Sequence, residues 1–229
     1  MKCPCGVTLP HRGILGSDSR QALSRVTAGF IIFAALLGGL QPAGAKSATP
    51  DAVTVSASAE GVTLCRPRGT RCFIPGTDDP IFIGDVIETN SSSRLEFTVR
   101  APASHIFLLP RSKIRIDRDT SQDFVEIEIL RGTIGVEPAK DQSFNVTFGP
   151  MLCTVGAGRA VVEFTVPKPH GSAATITNVD TATHCYSAAP PGDYDIPQAT
   201  VVRFKNGRRL KQSPMAEGFW SKHVDRQGR

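Results

Sequence analysis

The 229-residue chain reads as an all-β protein. Three observations point there. Apolar and polar residues alternate at period 2 in one short segment after another, the mark of a strand with one buried and one wet face. The 17 prolines and 21 glycines fall largely between those segments, where turns are needed. Helical periodicity is almost absent.

The segments justify themselves in order. "RLEFTVR" puts Leu95, Phe97 and Val99 on one face and Arg94, Glu96, Thr98 and Arg100 on the other. "KIRID" repeats the pattern with Ile114 and Ile116, and "FVEIEIL" sets Val125, Ile127 and Ile129 against Glu126 and Glu128. "FNVTF" alternates Phe144, Val146 and Phe148, and "RAVVEFTV" and "AATITNVD" continue in the same manner. Asn206-Gly207 is the residue pair of a two-residue hairpin turn. The one helical candidate is "SPMAEGFWSKHV", where Ser213 would cap and Pro214 would take the first helical position; Gly218 limits it to a short helix or a tail. Short strands with intervening turns suit a sandwich, a barrel or a short β-solenoid.

Residues 1–45 read as an export signal. Lys2, Arg12, Arg20 and Arg25 form a basic stretch that also contains Cys3 and Cys5, and the 15-residue apolar run Val26–Leu40 follows. Ala43-Gly44-Ala45 then supplies the small-x-small pattern that signal peptidases cut. The run is shorter than the roughly 20 residues that span a bilayer, so a cleaved signal is expected in preference to a membrane anchor. The expected organisation is a signal at 1–45, a linker rich in Ala, Ser and Thr at 46–59, an all-β domain at 60–205 and a basic C-terminal tail at 206–229. The expected location is the periplasm, with an uncleaved signal anchored in the inner membrane as the alternative.

The chain carries 26 Lys/Arg and 21 Asp/Glu, and loss of the signal leaves a net charge of about +2. That balance is uneven. Arg203, Lys205, Arg208, Arg209, Lys211, Lys222, Arg226 and Arg229 face only Glu217 and Asp225, so the remaining domain is mildly acidic. An exported chain with an acidic core does not read as a nucleic-acid binder. Four cysteines survive cleavage, and an even number in an oxidising compartment indicates two disulfides. "TLCRPRGTRCFI" places Cys65 and Cys72 at the two ends of a Pro/Gly turn, so Cys65–Cys72 and Cys153–Cys185 are the expected pairs. Their spacings differ from the short Cys-x2-Cys steps of structural zinc sites.

The segment "PIFIGDVIETNSSSRLEFTVRAPASHIFLLPRSKIRID" resembles the core of the FecR domain family, the exported domain of the ferric-citrate sensor type. Gly84-Asp85, Ile87, Thr89, the strand Leu95–Val99 and Pro110-Arg111-Ser112 occupy that family's places. "VEIEILRGTIGVE" resembles its next element, in which Leu130-Arg131-Gly132 turns one strand into another. "RAPAS" stands where the family usually has Asp-Gly-Ser, and the cysteines lie outside its pattern. The resemblance implies a FecR-like β-solenoid or roll, with a β-sandwich as second choice, and a role in sensing or protein contact at the bacterial envelope. Only 25 residues precede the apolar run, so the resemblance implies a stand-alone member lacking the family's cytoplasmic segment.

Gly84 permits a backbone conformation closed to other residues, and Asp85 is expected to bond the backbone two residues on and fix a turn. Pro110 and Ser112 redirect a second strand. Gly84, Asp85, Thr89, Pro110, Ser112 and Gly132 are therefore expected to build the fold. Reading Asp85 and Glu88 as a catalytic or calcium-binding pair would need a denser oxygen cluster than "GTDDP" and its neighbours supply. His105, His170, His184 and His223 show no metal-binding spacing, and "VGAGRA" lies between strands with no helix to present to a phosphate. No catalytic, cofactor or metal residues are expected. Arg66, Arg68 and Arg71, with Arg208, Arg209, Lys211 and Trp220, are the candidate contacts for an envelope or periplasmic protein, or for an anionic envelope polymer. A structural or carbohydrate-binding envelope module is the alternative.

Overall fold

Alternation is obeyed almost residue by residue. In Leu95–Arg100 the side chains of Leu95, Phe97 and Val99 are buried while Arg100 is exposed, and Phe144–Phe148 buries Phe144, Val146 and Phe148. The computed structural model describes residues 52–57, 61–67, 71–100, 103–119, 124–166 and 171–225, all within the compact unit Ser47–Arg229. The expected signal at 1–45, Arg68, His170, Arg226 and Arg229 lie outside the described residues.

Hydrogen bonding joins 17 strands into one continuous sheet. The first eight are β1 (Ala52–Ala57), β2 (Val62–Cys65), β3 (Cys72–Phe73), β4 (Pro80–Ile81), β5 (Val86–Thr89), β6 (Leu95–Arg100), β7 (Ala103–Leu108) and β8 (Lys113–Asp119). The long β9 (Phe124–Pro138) follows, then β10 (Phe144–Phe148), β11 (Met151–Val155), β12 (Ala160–Thr165) and β13 (Ala173–Asn178). The last four are β14 (Thr183–Ala188), β15 (Pro191–Ile196), β16 (Thr200–Lys205) and β17 (Arg208–Pro214).

β9 divides the sheet into two sectors. Its first half, up to Arg131, pairs with β8; from Gly132 onward it pairs with β12 and then with β7. One sector runs β4-β1-β6-β7-β9-β12-β13-β16-β17, and the other β3-β2-β5-β8-β9-β10-β11-β14-β15. All pairings are antiparallel except β9 with β10. After β9 the hairpins β10–β11, β12–β13, β14–β15 and β16–β17 alternate between the sectors, so the path is that of a flattened roll. Side chains from both sectors merge into one core, with Phe148 against Phe164 at 5.7 Å and Tyr194 against Phe204 at 5.3 Å between ring centroids. The strands do not close into a barrel.

Two expected boundaries move. The 46–59 linker contains β1, whose backbone pairs with β6 and β4 and whose Ala52 is fully buried. The 206–229 tail begins with the turn of the β16–β17 hairpin: Asn206 (φ 50°) and Gly207 (φ 74°) take the type I′ geometry, and β17 pairs along β16. Because β17 continues through Pro214, the helix expected from Ser213 does not start there. A single helical turn, Ser221–Asp225, forms beyond Gly218.

Both disulfides have the expected partners. Cys65 stands opposite Cys72 in the β2–β3 pair, and Cys153 opposite Cys185 in the β11–β14 pair, each with a Cα separation of 4.1 Å. Cys153 and Cys185 are fully buried, whereas Cys72 is exposed. Two disulfides fit an oxidising, exported environment. Among the described residues no helix is long and apolar enough to cross a membrane.

Candidate functional site

The residues of the family-like motif come together as a buried polar joint. Asp85 N–H donates to the Phe82 carbonyl at 3.0 Å, closing a turn with Gly84 (φ +88°) in the third position that demands positive φ. Asp85, 1 % exposed, reaches back three residues, its Oδ2 accepting the Phe82 N–H at 2.9 Å, where a contact two residues forward was expected. β8 locks the turn, because Gly84 N–H donates to Ile116 O and Ile116 N–H to Asp85 O. Thr89 Oγ1 donates to the Leu109 carbonyl at 2.7 Å and accepts Ser112 N–H at 3.0 Å. Ser112 Oγ in turn bonds both backbone groups of Thr133. Between Thr89 and Leu95, Asn90 Oδ1 accepts the N–H groups of Ser92 and Ser93, so the polar "TNSSS" run is an Asx-type turn. This joint holds β5, β8 and the bend of β9 in place.

Titratable groups gather on the outer faces. Glu88 bonds Lys113 Nζ at 2.9 Å and also pairs with Arg131; the Lys113 hydrogen bond leads in holding its carboxyl below the usual range. Burial works to raise the Asp180 pKa, but Arg159 overcomes it through Nε and backbone N–H bonds of 2.8 and 2.5 Å, so the net shift is downward. Arg159 lies in "VGAGRA", which is thus a turn tied to the loop after β13. Desolvation lowers the pKa of Arg94, whose Nη1 donates to the Val224 carbonyl at 3.0 Å.

The arrangement nearest to a catalytic row lies on β11, β14 and β15. Thr154, His184 and Asp195 are cross-strand neighbours, the order of a hydroxyl–imidazole–carboxylate relay. His184 Nδ1 meets Asp195 Oδ1 at 2.8 Å, which raises the imidazole pKa. Nε2, however, faces Asp193 Oδ1 at 3.5 Å, and the Thr154 hydroxyl donates to Asn145 Oδ1 at 2.9 Å. The hydroxyl is therefore directed away from the imidazole. This row can hold a proton and present negative charge. Cys185 points into the core toward Cys153, opposite in face to His184, as alternation requires. Among the described residues no group of three or more His, Cys, Asp or Glu side chains could hold a metal ion.

The candidate contact residues separate into three groups. Arg66 is turned inward, its guanidinium 4.9 Å from the Phe82 ring centroid and 5.3 Å from that of Phe73, and it donates to the Pro80 carbonyl. It serves as a packing residue, whereas Arg71 is exposed. Trp220 is 5 % exposed, edge-on to Phe107 at 5.6 Å with Arg159 at 5.4 Å, and with Val224 it covers Val161 on the outer face of the sheet. It anchors the chain's own end and is not open to a partner. Arg208, Arg209 and Lys211, by contrast, stand exposed on β17.

β17 pairs only with β16 and β15 only with β14 among the described residues, so both sectors terminate at the same end of the roll in an open edge. Arg209 lies 5.8 Å from the Tyr194 ring centroid and Tyr194 Oη donates to the Gly207 carbonyl, which joins the two edges. On the β16–β17 edge, Arg203, Lys205, Arg208 and Lys211 are exposed and make no ion pair among the described residues. Opposite register positions place Arg203 beside Lys211 and Lys205 beside Arg208, so the four cations crowd one face. The β15 edge carries Asp193 and Asp195, 70 % and 93 % exposed. Sequence reasoning found the cations but missed this acidic counterpart; the alternation in "GDYDI" around Tyr194 was the available signal. A cavity of about 640 Å³ opens beside the acidic edge, lined by His184, Asp195, Ile196 and Gln212. A second, of about 610 Å³, lies along the outer face between Glu163, Thr175, Arg203 and His223. The arrangement can bind by charge and by strand pairing. No protein-family model matches this chain, and no curated protein matches it.

Proposed function

We propose that this is a non-enzymatic, exported envelope protein of FecR type that acts by protein–protein contact in the periplasm, through the charged open end of its roll. The observation that carries the reading is the β16–β17 edge, where four cations without an ion pair among the described residues adjoin an open strand of seven residues. Edge strands present unused backbone donors and acceptors, a common mode of protein recognition, and charge selects among partners. The motif Gly84-Asp85…Thr89…Pro110-Arg111-Ser112…Gly132 supports the family reading, since its residues make a fold-building joint. Its two disulfides suit the periplasm.

The test is capture from chemically crosslinked envelope by the exported chain, compared with an Arg208→Glu/Lys211→Glu variant. Removing residues 203–229 is unsuitable, because it would delete buried Phe204, Trp220 and Val224. A discrete protein held by the native chain and lost on charge reversal is the expected result. Equal capture by both forms, or retention of glycan alone, would favour a structural or carbohydrate-binding module.

A further inference from the structure

The two edges at the open end carry opposite charge and belong to different sectors. We infer that the partner of this end is a second copy of the chain, joined head to head about a two-fold axis running along the strands, with β17 of each copy beside β15 of the other. This inference rests on the docking reading above and specifies the partner.

Three observations favour that arrangement over its competitors. Pairing β17 with β17 of a second copy would oppose Arg208 and Lys211 to themselves, and pairing β15 with β15 would oppose Asp193 to Asp195. Like charges across a strand pair are unfavourable. The half-turn that exchanges sectors instead brings the cations of Arg203, Lys205, Arg208 and Lys211 against Asp193 and Asp195, twice in one closed assembly. Second, the register of β17 on β16 shifts at Leu210, which is 64 % exposed at this edge. Charges and bulges are the means by which edge strands avoid indiscriminate pairing. Here they reject an identical edge while leaving an acidic one acceptable, and Leu210 supplies an apolar contact for the junction. Third, the opposite end of the roll is unsuited to the same use, since its edges β3 and β4 are two residues long and β4 begins with Pro80. The terminal strands of six and seven residues, β15 and β17, lie where the charges are complementary.

The experiment is sedimentation velocity over a concentration series on residues 46–229, with far-UV circular dichroism to confirm that each variant is folded. Every substituted residue is exposed, so folding is expected to persist. The native chain should form a dimer that weakens with added salt. Asp193→Lys/Asp195→Lys makes both edges basic, and Arg208→Glu/Lys211→Glu makes both acidic. Each variant alone should lose self-association on the order of 100-fold or more, while an equimolar mixture should recover a dimer containing one of each. A monomeric native chain, a dimer insensitive to both reversals, or a mixture that stays monomeric would overturn the inference. A monomer that still captures a distinct envelope protein through Arg208 and Lys211 would leave the docking function standing and remove only the second copy as partner.

Discussion

Ser112 and Thr133 exchange two hydrogen bonds: Thr133 N–H donates to Ser112 Oγ at 2.8 Å, and Ser112 Oγ donates to the Thr133 carbonyl at 3.0 Å. A single hydroxyl thus satisfies both backbone groups next to the point where β9 passes from one sector to the other. That passage is what makes the sheet fold over on itself.

Ser112→Ala leaves the Thr133 N–H without its partner in a partly buried site, while the Thr133 carbonyl still accepts the Leu109 N–H at 3.0 Å, and the loss should cost about 1–3 kcal/mol. Gly132→Ala should cost more, roughly 2–5 kcal/mol, since Gly132 has φ +92° and a Cβ there would lie 2.4 Å from the Ser112 Cα. Urea unfolding of the two variants beside the native chain measures both, and the expected order is Gly132→Ala below Ser112→Ala below native.

The disulfides should differ in both energy and access. The chain-entropy model gives about 3–4 kcal/mol for Cys153–Cys185, with a sequence separation of 32, and about 2–3 kcal/mol for Cys65–Cys72, with a separation of 7. Cys72 is exposed and the Cys153–Cys185 pair is wholly buried. Dithiothreitol titration followed by alkylation and mass spectrometry should label Cys65 and Cys72 first, and Cys153 and Cys185 only on unfolding.

His184 should titrate above the ordinary 6.5 of an imidazole, chiefly because Asp195 hydrogen-bonds its charged form, with Asp193 adding to the effect. The folded state therefore favours the protonated ring. Its stabilising contribution is complete below pH 6.5 and is lost as pH rises through the higher folded value. The pair is exposed, so the effect on stability is small. Proton NMR of the His184 ring reports the titration directly, and Asp195→Asn should bring it back toward 6.5.

Trp220 is the single tryptophan in the chain, which makes its emission a private reporter of the C-terminal arm. Packed against Phe107, it should emit at a blue-shifted wavelength. Phe107→Ala should shift that emission to the red, and Trp220→Ala should lower stability by about 2–3 kcal/mol, below a full core truncation because the cluster lies on the outer face.

The strands with a buried face were legible in the sequence because burial writes a period of two into "RLEFTVR" or "FVEIEIL". The same rule puts His184 and Cys185 on opposite faces of β14, while the Cys153–Cys185 pair followed from the turn placement of Cys65 and Cys72. β17 was legible only through the Asn206-Gly207 hairpin turn, because an edge strand with every residue from Arg208 to Gln212 exposed has no apolar face to betray it. β1 was missed for another reason: its partner Val99 lies far along the chain from Ala52, and "AVTVSA" alone is too short to distinguish from a linker. Arg66 and Trp220 depended on tertiary neighbours, Phe73, Phe82 and Phe107, that spacing does not reveal. The acidic edge became a feature only when β15 proved to be the last strand of its sector.

If the open end of the roll is the contact surface, site-specific photo-crosslinking in cells should trap the partner there. A photo-reactive amino acid would replace Leu210 on β17 and, as a control, Leu152 on the outer face of β11. A discrete adduct is expected from position 210 and none from position 152, with loss of the first when Arg208→Glu/Lys211→Glu is added. No adduct at position 210, or equal adducts at both positions, would contradict that reading.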